Sequence, residues 1–220
     1  MFRRTASASV LPEVLRNSVR EASWVSTRTE QGIDDKYTIV TDPEIAKVFS
    51  ETLSSSSGSN ENFSEFLPDG ILSTTRYQLR DPQIAWRSVL LTAQKQTDAV
   101  SGNLLMAFSG SLFEPYGVED AEKFLSSIGQ NVTTVRFDAE SEKVVVIALA
   151  RDKERIKRSL AKEIDFAKPP EKIFNAEVWK SINGEFAAIF IDSFLILGEA
   201  VSALRCLEAK DRAKDTSINP

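Results

Sequence analysis

The sequence predicts an α+β fold: repeated β-β-α units whose strands form a mainly antiparallel sheet covered by helices. Three observations lead there. Apolar residues switch several times from a spacing of two to a helical spacing, hairpin-type turns precede most of those switches, and 220 residues, 42% of them hydrophobic, suffice for a buried core.

The first 22 residues, "MFRRTASASVLPEVLRNSVREA", read as an N-terminal segment, helical or disordered. They carry arginines but no apolar run that would form the centre of a signal peptide. A first subdomain, 23–115, opens with the strands "WVSTRT" and "YTIVT", joined by a hairpin at "EQGIDD". Asp42 then supplies an acceptor for an unpaired amide of the following helix, and Pro43 suits the first helical position because its missing N–H is not needed there. Ile45, Val48, Phe49 and Leu53 form that helix's apolar face. Residues 54–66, "SSSSGSNENFSEF", are rich in turn formers and read as a flexible loop. The strand-to-helix join recurs at Asp81-Pro82, with Trp86, Val89, Leu90 and Ala93 on the helix face. Residues 98–117 are the candidate boundary. Their apolar stretch from Leu104 to Phe113 reads as a buried helix that breaks at Pro115-Tyr116-Gly117.

The second subdomain, 116–209, begins with a helix faced by Ala121, Phe124, Leu125 and Ile128 and stopped at Gly129. The strands "NVTTVRFD" and "KVVVIALA" follow, then a helix capped by Asp152 with Ile156, Leu160 and Ile164 inward. The last unit pairs "EVWKS" with "GEFAAIFID" through Asn183-Gly184, a dipeptide suited to tight hairpins. It then runs through "FLILG", turns at Gly198, and buries Ala200, Ala203, Leu204 and Leu207 on a final helix. Residues 210–220 are a polar tail. Hairpins with helices between them point to helices on one face of the sheet, but "VVVIALA" and "FAAIFI" are apolar on both sides, which places them centrally with cover on both faces.

Chemistry is sparse. The net charge of −5 argues against general nucleic-acid binding, which needs a basic surface. There is no histidine and one cysteine, Cys206, so histidine-dependent triads, thiolate zinc sites and intrachain disulfides are excluded. No phosphate-cradling or calcium loop occurs, and no catalytic, cofactor-binding or metal residue is assigned. Ser159 and Lys162 match the S-x-x-K spacing of Ser-Lys hydrolases, and Ser101-Gly-Asn103 a looser companion motif, but the order is reversed and no K-T-G follows. The neighbouring carboxylates Asp34-Asp35 fall in a predicted turn and Glu119-Asp120 in a first helical turn, both ordinary structural places. The basic helix 151–162 carries Arg151, Lys153, Arg155, Lys157, Arg158 and Lys162, a candidate anion- or lipid-binding surface diluted by interleaved acids. Asn62 and Asn131 begin glycosylation-type triplets. Trp24, Trp86 and Trp179 read as core residues.

The units "YTIVTDPEIAKVF", "RYQLRDPQIAWRSVLL" and "IDSFLILGEAVSALRCL" resemble bacterial exported or membrane-tethered proteins grouped under a domain of unknown function, with Ser193 where their pattern often has glycine. "LFEPYGVEDAEKFLSSIG" resembles segments of acidobacterial-type proteins of that kind. The resemblance spans residues 20–209 and implies an extracytoplasmic, non-catalytic α+β domain with a protein or cell-envelope partner. It carries over no site residue. The expectation is a binding or envelope-associated domain. The alternatives are a Ser-Lys hydrolase or an anion- or lipid-surface-binding module on the basic helix.

Overall fold

The computed structural model describes residues 17–29, 32–52, 62–139, 143–160 and 164–216. The chain divides into two compact units, residues 1–54 with 84–109, and residues 55–83 with 110–220.

The first unit holds a two-stranded antiparallel sheet, β1 (Val19–Thr29) and β2 (Gly32–Thr41), then helix α1 (Pro43–Thr52). The join is the one the sequence predicts. Asp42 accepts from the amide of Glu44 at 3.1 Å and pairs with the Arg20 guanidinium at 2.7 Å. Of α1's predicted apolar face, Ile45 is buried and Val48 is exposed, while Leu53 lies outside the described residues. Asp34 and Asp35 lie within β2, in register with Thr27 and Ser26, and not in the turn. Helix α2 (Pro82–Lys95) starts at the second Asp-Pro join, three residues after its preceding strand ends, and buries Ala85, Leu90 and Ala93. Helix α3 (Ala99–Phe108) is capped by Asp98, which accepts from the amides of Val100 and Ser101. It is not the buried helix expected: Val100, Leu104 and Phe108 are exposed. The cause lies at Gly102, the buried residue of α3, where an added Cβ would come within 2.9 Å of the Gln94 side chain. The helix thus packs by its smallest residue and leaves its large ones outward.

The second unit is a seven-stranded antiparallel sheet: β3 (Ser73–Gln78), β4 (Ile128–Arg136), β5 (Val144–Ala150), β6 (Glu171–Ile173), β7 (Ala176–Lys180), β8 (Phe186–Ile191) and β9 (Phe194–Glu199). Their spatial order is β3-β4-β5-β9-β8-β7-β6. Although β3 precedes residue 115 in the chain, it pairs along its whole length with β4. Two meanders, β3-β4-β5 and β6-β7-β8-β9, are joined side by side where β5 pairs with β9. The apolar runs predicted to be central are central: Val145, Ile147, Ala148, Ala187, Ala188 and Ile189 are fully buried.

Helices cover both faces. On one face Val135, Val145, Ile147, Ile189 and Ile196 pack with Ala203, Cys206 and Leu207 of helix α6 (Ala200–Thr216) and with Phe63 and Phe66. Those two phenylalanines lie in a 3-10 turn, Phe63–Phe66, inside the stretch read as a loop; two aromatic anchors three residues apart outweigh the polar residues around them. Over the other face lies the short helix α5 (Lys153–Lys157), whose lysines reach the Trp179 and Phe190 rings. Helix α4 (Ala121–Ser127) packs beside α5. Asp120 and Asp152 cap them, each accepting from an amide three residues on at 2.9 Å. Ile156, Leu160 and Ile164 are buried as predicted.

Gly198 is not a turn. It sits inside β9 opposite Val145, and the chain passes into α6 through Glu199, whose carboxylate accepts from the amides of Val201 and Ser202. An added Cβ at Gly198 would meet the Val144 carbonyl oxygen at 2.2 Å. Gly198→Ala is therefore expected to destabilise the protein by about 3 kcal/mol through overpacking against backbone. Gly184→Ala, at φ +74° in the β7–β8 turn with open space around it, is expected to cost about 1 kcal/mol. Urea unfolding of the two variants measures the difference.

Candidate functional site

Two regions of the described structure depart from ordinary packing, one in each unit.

The first is the β1–β2 hairpin. Its register sets Trp24 opposite Tyr37 and Ala22 opposite Ile39, so these four residues share one face. The Trp24 and Tyr37 rings stack with centroids 6.1 Å apart and planes 8° from parallel. Burial does not follow: Trp24 is 62% exposed, Tyr37 67% and Ile39 61%. The expectation that Trp24 is a core residue is therefore wrong, because among the described residues no second layer covers this two-stranded sheet. Trp179, by contrast, is buried and Trp86 is half-buried. The alternation of "WVSTRT" revealed the strand, but period-two patterning is the same whether the apolar side meets a core or a partner.

The second region is a cleft of about 270 Å³ where the end of β5, the β8–β9 turn and the β6–β7 hairpin meet the start of α5. Its polar lining includes Lys153, Lys172, Glu177, Asn175 and Asp192. Glu177 receives two ammonium groups: Lys153 on one carboxylate oxygen, and Lys172 on the other at 3.1 Å. The hydrogen bond from Lys153, followed by that from Lys172, holds the Glu177 carboxyl below the ordinary glutamate range. Lys153 also lies 4.9 Å from the Phe190 ring centroid, and Lys157 lies 4.6 Å from that of Trp179. Among the described non-glycine residues, only Phe174, Asn175 and Asp192 have positive φ; Asn175 and Asp192 line the cleft, and Phe174 adjoins Asn175 in the β6–β7 turn.

This arrangement splits the basic helix. Lys153 and Lys157 turn toward the sheet's aromatic rings, while Arg151, Arg155 and Arg158 stay exposed and Lys162 lies outside the described residues. A continuous cationic face needs all of them on one side. The aromatic partners, on β7 and β8, are distant in sequence, so composition alone could not reveal the split.

Ser159 is fully buried. Its hydroxyl donates to the Ile156 carbonyl at 2.7 Å, and its own carbonyl accepts from the amides of Glu119 and Asp120. A nucleophile needs an open path to substrate; Ser159 instead ties α5 to the start of α4. Ser101 and Asn103 belong to the first unit, where Asn103 accepts from Gln94. Asp120, the cap of α4, also pairs with Lys123 at 2.7 Å. Asn131 is buried within β4, whereas Asn62 is exposed and donates to Glu65. Among the described residues no three Asp, Glu or Cys side chains converge as metal ligands, and no helix is long and apolar enough to cross a membrane. Cys206 is buried on the sheet-facing side of α6, and desolvation pushes its thiol up to about 12.

No family model, curated protein or solved structure matches the chain.

The aromatic and lysine layers make separable contributions. Trp179 also donates its indole N–H to the Lys168 carbonyl at 3.0 Å, and Trp179→Ala is expected to cost about 3–5 kcal/mol in urea unfolding. The Glu177 carboxylate between its two lysines acts through pH. A carboxyl whose folded pKa is depressed adds stability above its unfolded value, and that stability is lost as pH falls through the folded value. Wild type is thus expected to lose more stability than Glu177→Gln between about pH 5 and pH 3, as read from urea midpoints.

Proposed function

We propose that this chain is a non-catalytic binding domain whose contact surface is the aromatic face of the β1–β2 hairpin. The observation that supports this reading is the stacked, exposed Trp24–Tyr37 pair beside exposed Ile39. Tryptophan and tyrosine offer large, stiff, amphipathic contact area, and such residues dominate the binding energy of protein interfaces. Soluble domains seldom present a contiguous patch of this kind without a use for it. The distribution of apolar residues agrees. Among the described residues the first unit contributes four of the buried hydrophobic residues, Ile45, Ala85, Leu90 and Ala93, but exposes Trp24, Val25, Tyr37, Ile39 and Val40 on its hairpin alone. A two-stranded sheet is marginal in water without a covering layer, so a partner on this face would also steady the hairpin.

The large unit then acts as the scaffold. The resemblance of residues 20–209 to exported and membrane-tethered proteins favours a protein partner in the cell envelope over a small molecule. The buried Ser159 hydroxyl and the divided basic helix lend no support to the hydrolase or the anion-surface reading.

A photo-cross-linking residue at Ile39, in cells making the protein at its native level, tests the proposal. A discrete protein adduct is expected from Ile39, absent from the same probe at exposed Lys180 of the large unit, and lost when Trp24→Ala and Tyr37→Ala are combined. Adducts from Lys180 but not Ile39, or adducts indifferent to the double change, would overturn it. Circular dichroism of the double variant separates lost contact from lost fold.

A further inference from the structure

The two edges of the seven-stranded sheet are built differently. At one edge, β6 is three residues long, and its Glu171 and Lys172 are both engaged in ion pairs, with Lys180 and Glu177. Short length and charge are the usual means of keeping another strand from adding to an edge. At the other edge, β3 has neither. All six of its residues are exposed, and among the described residues β4 is its one strand neighbour. Its register with β4 runs from Ser73–Arg136 to Gln78–Asn131 without a bulge. Residues 72–79, "LSTTRYQL", contain no proline or glycine and a single charge, Arg76. The Arg76 guanidinium lies over the Phe63 ring, 5.3 Å from its centroid, so even that charge is turned onto the sheet's own covering layer.

We infer that β3 pairs antiparallel with the β3 of a second copy of this chain, so that two seven-stranded sheets become one. The ladder shows which backbone groups are on offer. Leu79 donates to the Gln130 carbonyl at 2.8 Å, and on the far side of β4 Phe137 donates to the Lys143 carbonyl at 3.0 Å. The alternation of an antiparallel ladder then turns the amides and carbonyls of Ser73, Thr75 and Tyr77 toward β4, and those of Thr74, Arg76 and Gln78 outward.

Self-complementarity selects the second copy and the register. Across a twofold axis, opposite residues must both point their backbone groups into the new ladder or both away from it. Two registers satisfy this and keep most of the strand paired. One sets Arg76 opposite the second copy's Arg76, and like charges directly opposite are destabilising. The other centres the axis on Thr75. It sets Thr75 opposite Thr75, Thr74 opposite Arg76 and Ser73 opposite Tyr77, so that no charge faces its like. One edge strand is a small contact beside the roughly 800 Å² per partner of a standard interface, so the dimer is expected to depend on concentration. This inference is independent of the hairpin proposal, since β3 belongs to the other unit.

Cysteine and charge variants of the full chain test it. Opposite residues of a non-hydrogen-bonded pair have Cα atoms about 4.5 Å apart, within disulfide reach, so Thr75→Cys is placed to cross-link two copies. The two copies of Tyr77 lie four residues out of step, more than about 13 Å apart, so Tyr77→Cys is not. Under a mild oxidant, disulfide-linked dimers are expected at least about tenfold faster from Thr75→Cys than from Tyr77→Cys, because pairing raises the effective concentration of the facing thiols. The native Cys206 is buried and stays out of the exchange. In sedimentation, Thr75→Lys is expected to remain monomeric where the wild type dimerises, and mixing it with Thr75→Glu is expected to restore the dimer. A wild type that stays monomeric up to about 1 mM, equal rates from the two cysteine variants, or dimers indifferent to Thr75→Lys would each overturn it.

Discussion

The large sheet depends on the contact between β5 and β9. Each belongs to its own meander, and only their pairing, Val145 to Gly198 through Leu149 to Phe194, merges two small sheets into one of seven strands. Backbone comes unusually close at its end. With no side chain on Gly198, the strand lies against the Val144 carbonyl, and α6 can start two residues later directly over the sheet it has just left. The helix therefore delivers Ala203, Cys206 and Leu207 onto Ile147, Ile189 and Ile196, and a single core spans both meanders. A larger residue at position 198 pushes apart the two strands on which that core is centred.

The two units differ in how fully they bury what they carry. In the large unit the sheet has a layer on each side, and even charged residues serve packing: the ammonium groups of Lys153 and Lys157 lie over aromatic rings and also meet Glu177 and Glu154. Those exposed or half-exposed ion pairs are worth little individually, roughly 0–1 kcal/mol. Their effect is orientation, since they keep the lysines over the rings and away from a continuous basic surface. In the small unit the opposite holds. Among the described residues its hairpin has one layer, α3 packs through a glycine, and large apolar side chains remain outside. Large apolar side chains thus stay exposed on two different elements of this unit, the hairpin and α3.

Much of the architecture could be read from local pattern. The Asp-Pro joins at residues 42–43 and 81–82, the cap at Asp152, the Asn183-Gly184 hairpin and the buried stripe Ile156, Leu160 and Ile164 are each set by neighbours within one or two turns of chain. The short strand β6 was not legible, because three residues carry no period and its turn uses Phe174 at φ +48°, a conformation that phenylalanine seldom takes. Phe63 and Phe66 were hidden in a polar stretch, and Gly198 looked like a turn residue because close approach and tight turning both call for glycine.

By itself, then, the sequence determined where backbone is extended, where it coils and which residues cap the change, since periodicity, capping and turn chemistry act over a few residues. The tertiary structure alone decided which apolar faces are covered. Trp24 and Trp179 both lie on strands of good alternation, yet one is exposed and the other buried, because burial depends on whether a second layer from distant sequence arrives above the strand. The same reason moved Ser159 from candidate nucleophile to a buried tie, and divided the described basic residues of this helix into a packed pair, Lys153 and Lys157, and three exposed arginines, Arg151, Arg155 and Arg158.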